Sequence, residues 1–285
     1  MKKRSTPIEV VAHRGAGQGL IQPNAPPENT LAAYHWAWRE GVDACELDVH
    51  LTSDGKLIVI HDDTTNRTTN ANWVVAEHTQ DELRSLDAGR WKGPQWAGIQ
   101  LPLLEEMIDT VPDGKRLYIE LKLGPPVVPE LKRIVSESGK KPSQLPIISF
   151  DIDGITEAKK QLPDHECYLI VVFETDYPNG QWHVLYDEGP VFRTVTKPAD
   201  PAGLDALIKL VKSANLDGID TTFAQPRGLM RRVIKEKMKS MVWFVDDPEV
   251  AVEMVDLGLP GITTDIPVTI RQALHKAGIR TGPKG

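Results

Sequence analysis

Eight short apolar, β-rich runs alternate with helix-patterned stretches from one end of the chain to the other. The runs are IEVVAH, DACELDVHL, RLYIELK, LPIISF, CYLIVVF, LDGIDTT, SMVWFV and PGITTD. Between most of them lie NTLAAYHWAWREG, LLEEMIDTV, VPELKRIVSES, residues 154–162, GLDALIKLVKSA, GLMRRVIKEKM and PEVAVEMVDLG, and a last helix is expected over 267–277. Asp247, Pro248 and Glu249 supply a cap, a first-position proline and a first-turn acid. Eight strand–helix units are the count of a (β/α)₈ TIM barrel. An open, doubly wound sheet shares the alternation. A length of 285 residues suits one such barrel or two smaller domains. No low-complexity segment or proline-rich linker divides the chain, so residues 1–285 read as one domain.

Two stretches interrupt the pattern. Residues 64–100, with Trp73, Trp91 and Trp96, read as a small inserted subdomain after the second strand. Residues 174–198, with Trp182 and Tyr186, follow the fifth. In a barrel both would lie at the C-terminal face, where ligands bind, although surface elaboration explains the second equally well.

A net charge of −7 argues against nucleic acid as the main partner, because phosphate backbones demand a basic face. It leaves room for a small phosphorylated ligand. The two cysteines, Cys45 and Cys167, sit in separate apolar runs and are expected to be buried free thiols. MKKRSTPIEV has a basic start but no apolar core behind it, and we expect residues 1–6 to be a solvated tail. No stretch is apolar for long enough to span a bilayer, so stable membrane insertion is not expected. Cytoplasmic placement is the default reading; a periplasmic or secreted enzyme trimmed of its leader would look the same. A homodimer is compatible with all of this.

The chemistry concentrates in ACELDVHLTSDGKLIVIHDD, residues 44–63. Side chains alternate along a strand, so Glu46, Asp48 and His50 share one face, and Cys45, Leu47, Val49 and Leu51 the other. Asp54-Gly55 is a strong hairpin signal. A two-residue loop there would pair Thr52 with Leu57, His50 with Val59 and Asp48 with His61, returning His61 to the carboxylates. Two acids on one face offer oxygen ligands to a hard divalent cation. Glu120 is the third candidate, sharing a face with Lys122 in LYIELK, although a strand-end acid taken alone is more often merely solvated. The first strand ends in HRGAGQG. Pro23, Pro26 and Pro27 keep a helix from starting at those glycines, so a dinucleotide fingerprint fits poorly. The better reading is a loop that exposes Arg14 to a phosphate, with PENT launching the next helix. His13 at the strand tip, paired with His61, would supply a general acid/base couple.

HRG at 13, PENT at 27, ELDVHLTSDGKLIVIHDDTTNRTT from 46 and IELK from 119 resemble, in order, the motifs of the glycerophosphodiester phosphodiesterases, a (β/α)₈ barrel family. RSLDAGRWKG and LPLLEE resemble that family's inserted subdomain, and SF at 149, VWFVDD at 242 and GITTDIP at 261 its later markers. The resemblance implies one divalent cation, Ca²⁺ or Mg²⁺, held by Glu46, Asp48 and Glu120. It implies catalytic roles for His13 and His61, with Arg14 and Lys122 near the phosphate and Trp243 against the glycerol. The expected reaction cleaves small-molecule glycerophosphodiesters to sn-glycerol 3-phosphate and an alcohol. Three departures stand out: GLIQPNAP lengthens the first loop, VWFVD replaces the usual VWTVN, and the stretch after the fifth strand is long. The last two bear on the leaving-group preference.

Two alternatives accompany this reading. A lysophospholipase D or sphingomyelinase-like phospholipid phosphodiesterase would use the same barrel and acids, with an exposed apolar rim that the tryptophans of 64–100 are placed to supply. A phosphodiester-binding protein without turnover should lack one of the acids or histidines, and all five are present. His50, His78, His165 and His183 show no partner and read as structural or exposed. Trp36 and Trp38 read as packing residues, and Arg231 and Arg232 as part of a solvated helix face.

Overall fold

The computed structural model describes residues 7–176, 180–188, 193–225, 228–256 and 258–282. The expected N-terminal tail, residues 1–6, lies outside them. Among the described residues there are eleven strands: β1 (Glu9–Ala12), β2 (Ala44–Leu51), β3 (Leu57–Val59), β4 (Arg116–Leu121), β5 (Ile147–Ser149), β6 (Cys167–Thr175), β7 (Trp182–Glu188), β8 (Arg193–Pro198), β9 (Gly218–Thr222), β10 (Lys239–Trp243) and β11 (Gly261–Thr264). Eight of them close a parallel barrel in the order β1-β2-β4-β5-β6-β9-β10-β11, and β11 pairs back onto β1. These are the eight apolar runs of the sequence, and the open-sheet alternative is excluded by closure.

A helix follows each barrel strand, at Leu31–Arg39, Leu104–Asp109, Val128–Glu137, Ile152–Gln161, Pro201–Ser213, Leu229–Lys235, Pro248–Asp256 and Pro267–Lys276. Their starts follow from local chemistry. Thr30, Asp151 and Asp200 each accept a backbone N–H of the first turn, and Asp247 accepts from Glu249 N and Val250 N. Such caps satisfy donors that have no partner inside the helix. Ile152–Gln161 begins two residues before the expected position because Asp151 caps it.

The alternation of side chains sorts the core into two shells. Cys45, Leu47, Val49, Leu117, Ile119, Cys167 and Leu169 point outward and pack under the helices. Both cysteines are buried and free. Inward-facing Val11, Ala44, Tyr118, Ile148, Tyr168, Ile170 and Met241 fill the barrel. Its N-terminal end is closed by ions: Glu9 accepts from Arg116 Nη1 at 3.0 Å and from Tyr118 Oη at 2.5 Å, and Arg116 reaches on to Glu166. Ionic filling at that end leaves the opposite end as the one with room for a ligand.

β3 is the return arm of a hairpin from β2, and its register corrects the expected one. Val49 pairs with Val59, His50 with Ile58 and Leu51 with Leu57. The loop has three residues, Ser53 to Gly55, because Gly55 takes a positive φ of 75° and adds one residue to the turn. Asp48 O therefore accepts from Ile60 N, not opposite His61.

The insertion after β3 has its own small core. Ile58, Ile60, Val75, Leu83, Ala88 and Leu101 bury one another, with Trp73 packed alongside. A short helix, Gln80–Arg84, starts from a reciprocal Thr79–Glu82 capping box. Trp73, Trp91 and Trp96 are all half-buried, so each leaves only part of its ring to an apolar rim. The stretch after β6 is a β-ribbon: β6, β7 and β8 pair antiparallel in turn, and Asp187 N donates to Phe150 O. Residues 177–179 and 189–192 of that stretch lie outside the described residues. Trp36 and Trp38 pack on the core, Arg232 pairs with Asp205, and no described helix is long and apolar enough to cross a membrane.

Candidate active site

At the C-terminal ends of the barrel strands a cavity of about 170 Å³ is bordered by His13, Arg14, Glu46, His61, Glu120 and Lys122 on one side. Its other wall is mostly apolar, with Ile148, Phe150, Ile170, Trp243 and Phe244, and adds Asp220 and Thr263 as polar groups. Asp48, fully buried, completes the set of residues expected from the sequence. The volume lies below the ~300–1,000 Å³ of pockets for drug-sized ligands, so the cavity fits a small polar fragment.

Glu46, Asp48 and Glu120 each place a carboxylate oxygen within 4.8 Å of the others. Glu46 and Asp48 sit two residues apart on β2, and Glu120 is Asp48's partner across the β2–β4 ladder. Parallel pairing in this register makes the three converge. Burial, then Asp48 and Glu120, hold the Glu46 carboxyl well above its ordinary pKa. Burial also raises Glu120. At Asp48 burial pushes upward too, but Lys122, Arg14 and His61 outweigh it and hold it well below the usual range. Glu46 Oε1 is buried and has no hydrogen-bond partner. An all-oxygen set with crowded charge and an unsatisfied buried oxygen fits a hard divalent cation.

The cations beside these acids are well anchored. Lys122 Nζ contacts Glu120 and lies 2.9 Å from Asp48 Oδ1. Arg14 takes a left-handed φ of 49°, which turns its backbone N–H onto Glu46 Oε2 at 3.0 Å. Its guanidinium binds Glu28 at 2.7 Å and approaches Asp48 at 3.5 Å. A non-glycine residue held there is strained, and such strain gathers at functional sites.

Both histidines are backed by carboxylates. His13 Nδ1 lies 2.6 Å from Asp265 Oδ1, and Arg14 Nε donates to His13 Nε2 at 3.2 Å. His61 Nδ1 lies 2.6 Å from Asp62 Oδ1. These contacts put a proton on Nδ1 and leave each Nε2 with a lone pair. Burial is the largest effect on both and holds them below the ordinary imidazole value, His61 to about 4. Phe244 packs against the His13 ring at 4.1 Å. Trp243 meets Phe150 edge to face at 6.0 Å, and its indole N–H is buried without a partner.

Five contributors escaped the sequence reading. Glu28 was quoted within PENT only as part of a helix start, yet it is buried and binds Arg14, Gly19 N and Arg67. Asn29 donates to Asp48 Oδ2 at 2.8 Å, and Tyr34 donates to Glu46 O. Asp265 directly follows the last strand, and the strand-end reasoning applied to Glu120 would have singled it out. Asp62 adjoins His61 in HDD. His50, read as unpartnered, is buried with Nε2 3.0 Å from His61 O, steadying the backbone that carries His61.

Comparison with known proteins accords with this geometry. A model of the glycerophosphoryl diester phosphodiesterase family matches residues 13–269. A glycerophosphodiester phosphodiesterase of Caldanaerobacter subterraneus subsp. tengcongensis is 30% identical over 273 residues, covering 94% of this chain and 98% of the relative. The fold is similar to that of an Oleispira antarctica phosphodiesterase solved with its product sn-glycerol 3-phosphate, with TM-score 0.74, 24% identity, and 94% and 97% of the two chains covered. It is also similar to an Agrobacterium tumefaciens glycerophosphodiester phosphodiesterase, with TM-score 0.69, 25% identity, and 93% and 99% covered. The match runs from the His13 motif to the last helix: the chain belongs to the glycerophosphoryl diester phosphodiesterase family.

Proposed function

We propose that the chain hydrolyses glycerophosphodiesters to sn-glycerol 3-phosphate and an alcohol, with Ca²⁺ or Mg²⁺ held by Glu46, Asp48 and Glu120. The observation that carries this reading is the convergence of three buried carboxylates and two carboxylate-backed histidines on one small cavity. Arg14 and Lys122 face the phosphoryl oxygens and offset charge that grows as the nucleophile approaches. Glu46, Asp48 and Glu120 would hold the cation, which when bound would supply Lewis-acid stabilisation of the phosphoryl charge. One histidine Nε2 accepts the nucleophile's proton, and the other returns a proton to the leaving alkoxide. Asp265 and Asp62 fix the rings and favour the imidazolium that forms, as a carboxylate does behind a catalytic histidine. The glycerol packs against Trp243 and Phe244, with the free indole N–H available to a hydroxyl.

The test is release of glycerol 3-phosphate from a panel of glycerophosphodiesters by chelated protein, with Ca²⁺ or Mg²⁺ restored separately. Release that disappears on chelation and returns with one of the two ions is expected. No release from any diester with either ion would overturn the activity; undiminished release after chelation would overturn the cation's role alone.

A further inference from the structure

A second cavity, of about 400 Å³, opens beside the first and shares two residues with it, Arg14 and His61. Leu20 and Ile21 from the lengthened first loop line it together with Gln18 and Gly19, and Asp62 and Arg67 complete it. Leu20 is 62% exposed and Ile21 48% exposed, which are the two largest exposures recorded for big apolar side chains among the described residues. Such residues lose nothing by being covered and gain when an apolar group is laid on them.

The loop that carries them is held in place. Gln18 N donates to Asp265 Oδ1 at 2.8 Å, and Gln22 Nε2 donates to Ala16 O and Asp265 O. Gly19 N donates to Glu28 Oε2. A Cβ on Gly17 would come 2.3 Å from Asp265 O, so the loop presses directly on the residue behind His13. A fixed wall costs less to bind against than one that must first be ordered.

Resting on the proposed activity, we infer that this groove is the subsite for the leaving alcohol, and that it selects glycerophosphodiesters whose alcohol carries an apolar chain. The inner cavity, of about 170 Å³ and lined by Ile148, Phe150, Ile170, Asp220 and Trp243, is of a size for the glycerol. The phosphoryl group lies where the two cavities meet, at Arg14 and His61. The groove that adjoins that point among the described residues leads the second ester outward, past His61 and over Leu20 and Ile21. Leu20 and Ile21 line the groove and not the inner cavity, so the apolar chain that they cover belongs to the alcohol that departs.

The experiment uses synthetic methyl, butyl and octyl esters of sn-glycerol 3-phosphate with the cation-loaded protein, below their micellar concentrations. kcat/KM should rise along the series by roughly twofold or more per methylene for the first few carbons. In the Leu20→Ser/Ile21→Ser double variant the octyl-to-methyl ratio should fall by about tenfold. A flat wild-type series overturns the subsite while leaving the phosphodiesterase reading intact, and so does a ratio that the double variant leaves unaltered. A double variant inactive on both esters also overturns it, since the side chains would then be supporting the loop instead of the alcohol. Absence of turnover on every ester, and on sn-glycero-3-phosphoethanolamine, overturns the phosphodiesterase reading itself.

Discussion

His13 and His61 meet the cavity in the same protonation state. Each is neutral in the protein at pH 7 because burial outweighs the carboxylate behind it. The approach of an anionic diester favours protonation of one ring, so a couple can form only once substrate is present. The sign is definite: a lowered histidine pKa extends the working range toward acid, and a neighbouring cation pushes the same way. The acid limb of kcat/KM should therefore fall below pH 6.5, and a limb at or above that value would contradict the assignment. Replacement of His13 or His61 by alanine should each lower kcat by roughly a hundred- to ten-thousand-fold. In the double variant the losses should combine far less than additively, as expected of one proton-transfer cycle. Near-normal kcat in both single variants would make these rings structural. Trp243 separates packing from binding. Its ring lies partly against the inner cluster and partly on the cavity, so Trp243→Ala should raise KM more than it lowers thermal stability. A large loss of melting temperature with KM unchanged is the opposite result.

The eight barrel strands could be read from the chain because strands covered on both faces are nearly continuous apolar runs. The same was true of Glu46 and Asp48, since a carboxylate in such a run stands out. The β-ribbon of β7 and β8 was not legible, because β8 is an exposed edge whose described side chains are polar or proline. Asp265 was hidden for another reason: it acts on a residue 252 positions away, and only closure of the barrel joins them. The β2–β3 hairpin failed at one residue, Gly55, whose positive φ lengthens the turn and shifts the register. His61 reaches the cavity nonetheless, because it lies beyond the end of β3 and turns inward. An alanine at Gly55 meets no atom within 4 Å, so the cost there is purely conformational. Gly55→Ala should destabilise the fold by about 1 kcal/mol, read as a lower denaturant midpoint. No change in the midpoint would mean that the turn relaxes to the two-residue form.

Acid should weaken the whole molecule through carboxylates far from the chemistry as well as near it. Glu166 is held at about 2, with burial opposing and Arg116 and Lys239 prevailing; Glu28 is held at about 2 by Arg67 and Arg14 against the same burial. A depressed carboxylate stabilises the fold above its unfolded pKa, near 4.5, and that stabilisation is lost as pH falls toward 2. The denaturant midpoint should thus drop steeply between pH 4.5 and 3, and Glu166→Gln should make the drop shallower; an unaltered slope would remove Glu166 from the account. The barrel closes through β1 and β11, and Ile8 bridges Thr281, so sequence-distant segments lie side by side. On the ribosome this arrangement has a timetable. β1 keeps one edge unpaired until β11 has been made, a period in which it is open to other chains. Asp265, hydrogen-bonded to His13 from 252 positions away, arrives with that same strand, so this contact cannot form in the nascent chain before β11 has been made.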